Sequence, residues 1–454
     1  MSGNRLTDHG LYLGTFADEQ GIERQVRYAG QKHLITIGPN GSGKGTALIV
    51  PTLADTDSPR SILIIDPKGE AASICARKRA TLGRVVILNP FGVLAADLPH
   101  LKSDGFNPLP SLDTTTDFFP DDATGIAVAL VKVEGTEPHW AASAQELIAA
   151  LIMWECLQAR EKKYIPTLGN VRKMLGQPHA KDSKGLPSGL MLTAYDMLAS
   201  GYPPLESKAG RFTQDTREIQ SIISTAITQT RFLDSPAITN DLARGDFDFA
   251  DMKRAVTTVF LILPANRLDT HSGWLRLMIV SALRRLLDTP PSATLPSVLF
   301  ILDEFAQLGY LPPIENAMGI ARGFGVQLWP ILQDLNQLHA LYKDRWETFV
   351  GARGALTAFS PQDWFTAEYL SKLCGQKTGV VENMNETVTG ERSRSWSQQG
   401  FPLFRPEELM GFGASRALCF VDPVTRPFFT NTPRYPDTPF NAGLDPNPYY
   451  RPRV

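Results

Sequence analysis

Short, nearly all-apolar runs recur along this chain, and several close on a turn residue. They are HLITIG (33–38), SILIID (61–66), RVVILN (84–89), TTVFLIL (257–263), SVLFILD (297–303) and VQLWPIL (326–332), with ALTAFS (355–360) and ALCFVD (417–422) as two further members. Apolar and polar positions do not alternate within them. That pattern predicts strands buried on both faces of a mainly parallel sheet. Helical spacing fills several of the intervals, as in SGWLRLMIVSALRRLLD (272–288). Strands alternating with helices predict a layered α/β fold.

From about His139 to Arg244 the pattern changes, and no strand is predicted. AASAQELIAALIMWECLQAREKK (141–163) and DTREIQSIISTAITQTRFL (215–233) both place apolar residues three and four apart, and Asp215 is the expected cap of the second helix. The expected division is therefore an α/β domain over 1–138 and 245–431, an all-α insert over 139–244, and a Pro-rich, extended tail over 432–454. The polar stretch MNETVTGERSRSWSQQG (384–400) reads as a loop or an exposed hairpin.

Composition narrows the class. The 454 residues are 43% hydrophobic and 20% charged, as in soluble globular proteins, and are enough for two or three domains. A net charge of −2 gives no global basic field for nucleic acid, although a local basic channel is compatible with it. Cys75, Cys156, Cys374 and Cys419 are far apart and read as reduced thiols rather than a disulfide frame or a zinc site. The first residues lack the apolar core of a secretory signal, and no apolar stretch reaches the length of a membrane span.

Candidate chemistry begins after the first apolar run. Gly38-Pro39-Asn40-Gly41-Ser42-Gly43-Lys44 follows a strand and precedes a helix-like segment, the context of a phosphate cradle. Glycines turn backbone N–H groups inward around the phosphates, and Lys44 reaches the β- and γ-phosphates. The usual hydroxyl after the lysine is replaced by Gly45; either Thr46 supplies the magnesium ligand one residue later, or water does. VLFILDEF (298–305) delivers Asp303 and Glu304 at a strand end, the first to hold magnesium and the second to polarise water. Gln333, at the end of VQLWPIL, is placed to sense the γ-phosphate. Arg322 closes the helix of ENAMGIARGFG; on its residues alone it reads first as a cation satisfying the helix dipole, with a trans arginine finger as the alternative. LIIDPKGE (63–70) puts Asp66, Lys68 and Glu70 after the second strand of that series, either as ligand-facing groups or as a turn with a solvated ion pair.

Taken together, GPNGSGKGTALIVPTL, IIDPKGE, GFNPL (105–109), ILDEFAQLGYLPPIENAMGIARGFGVQLWPILQDLNQL (301–338) and LFRPEELM (403–410) resemble the TraG/TraD-type coupling ATPases of type IV secretion. The 301–338 block is the most specific of these, and the glycine after the loop lysine is usual in that family. The resemblance implies a RecA-like P-loop NTPase fold with an inserted all-α domain, ATP and Mg2+ as cofactors, and a homo-hexameric ring with nucleotide between subunits. It assigns Arg322 as the trans finger and Gln333 as the sensor. It implies delivery of single-stranded DNA with its relaxase, or of effector proteins, to secretion-channel components. Most members begin with transmembrane helices that this sequence lacks, so a membrane-anchoring partner, or a removed anchor, is expected, with a cytoplasmic location at the inner membrane face. A recruiting platform with little motor activity and an FtsK/HerA-type DNA pump are the competing readings. Glu304 argues against the first, and the 301–338 block with the long helical stretch argues against the second.

Overall fold

A computed structural model of the chain describes residues 9–133, 138–245, 247–290, 297–386, 392–413 and 415–449. In chain order the first elements are β1 (Leu11–Ala17), β2 (Glu23–Tyr28), β3 (His33–Ile37), α1 (Val50–Ala54), β4 (Ser61–Ile65), α2 (Glu70–Ala80) and β5 (Arg84–Leu88). A mainly helical stretch follows: α3 (Phe119–Leu130), α4 (Pro138–Lys162), α5 (Leu168–Leu175), β6 (His179–Lys181), β7 (Pro187–Ser188), α6 (Gly189–Leu198), α7 (Pro203–Ala209), α8 (Arg217–Gln229) and α9 (Pro236–Asp241). The chain continues with β8 (Thr257–Leu261), α10 (Leu268–Asp288), β9 (Val298–Leu302), α11 (Pro312–Ile320), β10 (Val326–Leu332), α12 (Leu335–Tyr342) and α13 (Trp346–Gly351). It ends with β11 (Arg353–Phe359), α14 (Trp364–Cys374), β12 (Gln376–Glu386), β13 (Arg392–Pro402), α15 (Pro406–Met410), β14 (Arg416–Val421) and β15 (Phe428–Asn431).

Two compact units share these elements. One holds the chain up to Thr52 together with Ile331–Asn441; the other holds Leu53–Pro330 and the segment from Ala442 onward. In the first unit the strands run β2-β1-β15-β14-β11-β3, followed by the last two residues of β10. The neighbours from β2 to β11 are antiparallel, whereas β11, β3 and β10 are parallel. In the second unit the first five residues of β10 continue into β9, β4, β8 and β5, all parallel. Every residue of β3, β4, β8, β9 and β10 is buried, which is why these runs show no alternation. The middle of α4, Leu147–Met153, is inaccessible on all sides, as expected for a helix whose apolar residues cover its whole circumference.

Several expectations are corrected. The stretch read as strand-free contains the β6–β7 hairpin, whose turn is held by Asp182 Oδ1 accepting from the N–H groups of Lys184 and Leu186. Strands of two and three residues are too short to carry a periodicity. The cap of α8 is Thr216, whose hydroxyl accepts from the Ile219 N–H; Asp215 instead accepts from the Gln220 side chain. The first strands, β1 and β2, are not among the runs above: β1 is buried over five successive residues and β2 only in its second half, so neither alternates, and their register shifts between Tyr12 and Gly14. Of the two readings of 384–400, the hairpin holds for the paired strands β12 and β13, while 387–391 lie outside the described residues. The tail is not uniformly extended: 3-10 turns form at Tyr435–Asp437 and Pro439–Asn441, and its last residues, from 450, lie outside the described ones. All four cysteines are free and buried. No helix among the described residues is long and apolar enough to cross a membrane.

Candidate functional site

The phosphate-type loop belongs to the first unit. It leaves β3 at Gly38, whose N–H donates to Leu332 O at 3.0 Å, so the loop starts beside the end of β10 and beside Gln333. Gly41 (φ 76) and Gly43 (φ 91) take left-handed conformations that a side chain would oppose. Lys44 Nζ donates to Gly38 O (2.5 Å) and Pro39 O (2.9 Å), drawing the ammonium over the loop's own concavity. Ser42 Oγ is buried and has no hydrogen-bond partner. A buried hydroxyl without a partner is costly unless a ligand satisfies it, so these residues fit a phosphate group. Asn40 is exposed and Pro39 half-buried.

Gly45 opens a π-helical turn, Gly45–Ile49, that leads into α1. Pro51 lies just beyond, and the wider turn accommodates a ring that an α-helix would push against a carbonyl one turn earlier. A Cβ at Gly45 would meet nothing within 4 Å, so packing does not require glycine there. Thr46 Oγ1 donates to Gly43 O at 3.2 Å, which leaves its lone pairs able to accept. Gln333 is half-buried, and its N–H donates to the Gln337 side chain at 3.0 Å.

The acidic residues belong to the second unit. β4 and β9 are parallel neighbours in the register Ile64↔Ile301, so Asp66 and Asp303 leave adjacent strand ends on the same side. Asp66 is 5% exposed and accepts from the Ala72 N–H at 2.8 Å, tying the strand end to the start of α2. Burial pushes its carboxyl up to about 7 against the pull of the Ala72 and Ala71 N–H groups, with the Asp303 and Glu70 charges adding to the rise. Of the two sequence readings of DPKGE, a plain solvated turn therefore fails for Asp66; Lys68 is exposed and Glu70 half-buried. Asp303 accepts from the Glu304 N–H at 3.1 Å. Glu304 is held at φ 50, ψ 43, a left-handed conformation unusual for a residue with a side chain and one that concentrates at working sites.

Arg322 is placed apart from these acids. It lies exposed in the 3-10 turn Ala321–Phe324, which leads through Gly325 into the start of β10, whereas Asp303 follows the end of β9. The strand length of roughly 16 Å separates those two edges. Among the described residues Arg322 has no ion pair or side-chain hydrogen bond.

One residue escaped the sequence reading. Arg276, 1% exposed on α10, donates through Nη1 to Leu308 O (2.8 Å) and Tyr310 O (2.9 Å), and through Nε to Ala129 O (3.2 Å). It thereby pins the segment that follows Glu304. Its one signal in the sequence is a lone cation inside the apolar run SGWLRLMIV.

A glycine loop with its lysine in one unit, and paired acids at parallel strand ends in the other, are the elements of the RecA-like P-loop fold class. The fold agrees with solved structures of similar shape. A bacterial conjugative coupling protein, TrwBdeltaN70 in its unbound form, matches with a TM-score of 0.66 at 16% identity, over 90% of this chain and 87% of that one. The plasmid coupling protein TrwB in complex with ADP and Mg2+ matches with a TM-score of 0.63 at 16% identity, over 89% and 86%. The profile of the family "Type IV secretory system Conjugative DNA transfer" matches residues 3–426, and the chain belongs to that family. It is 28% identical over 432 residues to the conjugal transfer protein TraG of Escherichia coli, covering 89% of this chain and 65% of that protein. It is 26% identical over 388 residues to the protein VirD4 of Agrobacterium fabrum (strain C58 / ATCC 33970), covering 84% and 55%. The chain thus spans less than two thirds of the length of these two relatives.

Proposed function

We propose that this chain is the ATPase of a type IV secretion coupling protein, moving single-stranded DNA with its relaxase, or effector proteins, toward the secretion channel as a homo-hexamer. The observation that carries the reading is the partnerless buried Ser42 hydroxyl in the glycine loop that also holds Lys44. Structures of TrwB with ADP and Mg2+, and with a non-hydrolysable ATP analogue, support ATP and Mg2+ as the ligands. ATP supplies the phosphoryl group, and Mg2+ offsets its charge. Residues 38–46 of this chain hold the phosphates, with Lys44 exchanging its carbonyl partners for phosphate oxygens. Asp303 and the Thr46 hydroxyl would hold Mg2+. Glu304 orients and polarises the attacking water, Gln333 reads the γ-phosphate, and Arg322 reaches a neighbouring copy's nucleotide. The helical stretch 139–244 meets the cargo, and a membrane partner holds the ring at the inner face of the membrane.

The test is ATPase rate per chain against protein concentration, with and without single-stranded DNA, for the parent, Lys44→Ala and Glu304→Gln. Expected are a specific rate that climbs with concentration, stimulation by DNA that weakens with salt, and loss of turnover by at least about 100-fold in both variants. Only Lys44→Ala loses ATP binding. Undiminished turnover in Glu304→Gln, or a parent that neither retains nor cleaves ATP, would overturn the reading.

A further inference from the structure

Residues 443–449 run back along α2 toward the Asp66–Glu70 turn. Gly443 lies by the Lys78 side chain, where a Cβ would come 3.5 Å from Nζ. Asp445 pairs with Arg77 through two contacts, Nε to Oδ2 at 2.7 Å and Nη2 to Oδ1 at 2.6 Å, and its N–H donates to Ile74 O at 3.0 Å. Asn447 Nδ2 donates to Glu70 Oε1 at 2.6 Å, and the Tyr449 hydroxyl donates to Lys68 O at 2.6 Å. Asn447 Oδ1 accepts from the Tyr449 N–H at 2.9 Å and stiffens this end. The contacts step down α2 in order and pass its N-terminus, so the segment lies antiparallel to the helix.

The turn is therefore gripped from two directions. Asp66 holds it from within by accepting from the Ala72 N–H, and Asn447 and Tyr449 hold it from without at Glu70 and Lys68. Asp66 is the strand-end neighbour of Asp303. The Tyr449 hydroxyl also feels the Asp66 and Glu70 charges, which add to burial in raising its pKa. Single exposed ion pairs contribute little. Successive contacts along one short segment act as a unit, because each one formed lowers the ordering cost of the next.

We propose that residues 443–449 are a strap that positions the hydrolytic acids: Asp445, Asn447 and Tyr449 clamp the Asp66–Glu70 turn and so keep Asp66 in place against Asp303. The proposal rests on Asp303 serving ATP hydrolysis. The strap's contacts fall on the turn beside the acidic strand ends, so its loss lowers turnover rather than nucleotide affinity.

The test uses the full chain and four variants: Asn447→Ala with Tyr449→Phe, Arg77→Asp, Asp445→Arg, and the reversed pair Arg77→Asp with Asp445→Arg. Hydrogen exchange at the amides of residues 69–73 is measured without nucleotide, and steady-state ATPase is measured in parallel. Exchange at Ala72 is expected to quicken about tenfold in the first three variants as local opening becomes easier. kcat is expected to fall about fivefold, with KM for ATP within about twofold. The reversed pair restores both. Unchanged exchange, or quickened exchange with unchanged kcat, overturns the strap as a positioning device. A matching rise in KM also overturns it, since that would mean loss of the whole fold rather than of one turn. A parent without turnover brings down the ATPase reading instead, and nucleotide-free exchange then decides the clamp by itself.

Discussion

A carboxyl removed from water holds its proton longer, and Asp66 is such a group. Its carboxyl titrates near 3.8 in an unfolded chain and at about 7 in the folded one. Between those values the folded state binds the extra proton, so stability falls as pH rises. Asp66's favourable contribution is complete below the unfolded value and is lost as pH climbs through about 7. In magnesium-free protein, the urea midpoint should drop between about pH 5 and about pH 8 more steeply for the parent than for Asp66→Asn. Parallel profiles would show that the group titrates normally. The sequence placed Asp66 at a strand end but left its role open, because burial of one side chain is a tertiary property. The left-handed backbone of Glu304 was equally illegible, since nothing in DEF requires it.

Elements were legible in proportion to their length and burial. Strands β3, β4, β8, β9 and β10 lie within the runs read from the sequence, because burial on both faces demands uninterrupted apolar residues. Helices α4 and α10 were legible for the corresponding reason at helical spacing. The α8 cap was misplaced by one residue, since Asp215 and Thr216 are both good caps and only backbone geometry separates them. This predicts that Thr216→Ala costs about 1 kcal/mol of stability, while Asp215→Ala stays within about 0.5 kcal/mol. Equal losses by denaturant titration would return the cap to Asp215. The π-helical turn after Lys44 had a cue in Pro51, yet a proline near a helix start is ordinary and does not by itself announce a wider turn.

At the scale of the whole molecule, Arg322 carries the sharpest consequence. It lies at the edge of the parallel strands opposite to Asp303, exposed and with no ion pair among the described residues. On the proposed reading, an arginine so placed serves a site on another copy. Arg322→Ala alone should therefore lose turnover by at least about 100-fold, as should Lys44→Ala alone. Mixing the two inactive proteins should recover part of the rate, because the proposed ring, when mixed, would contain sites with an intact loop and an intact finger. Full activity of pure Arg322→Ala, or no recovery on mixing, would remove the finger assignment.

The chain's own order of residues determined the α/β class, the positions of the buried strands, and the three chemical stretches GPNGSGK, DPKGE and LDEF. Each is a local requirement: uninterrupted apolar side chains for a strand covered on both faces, and closely spaced glycines for a backbone that turns around phosphate. Tertiary structure alone decided which distant residues meet. Arg276 grips the carbonyls of Leu308 and Tyr310, and Asp445 reaches back to Arg77. Lone polar residues have no period to read, and their partners are chosen by the path of the backbone through space.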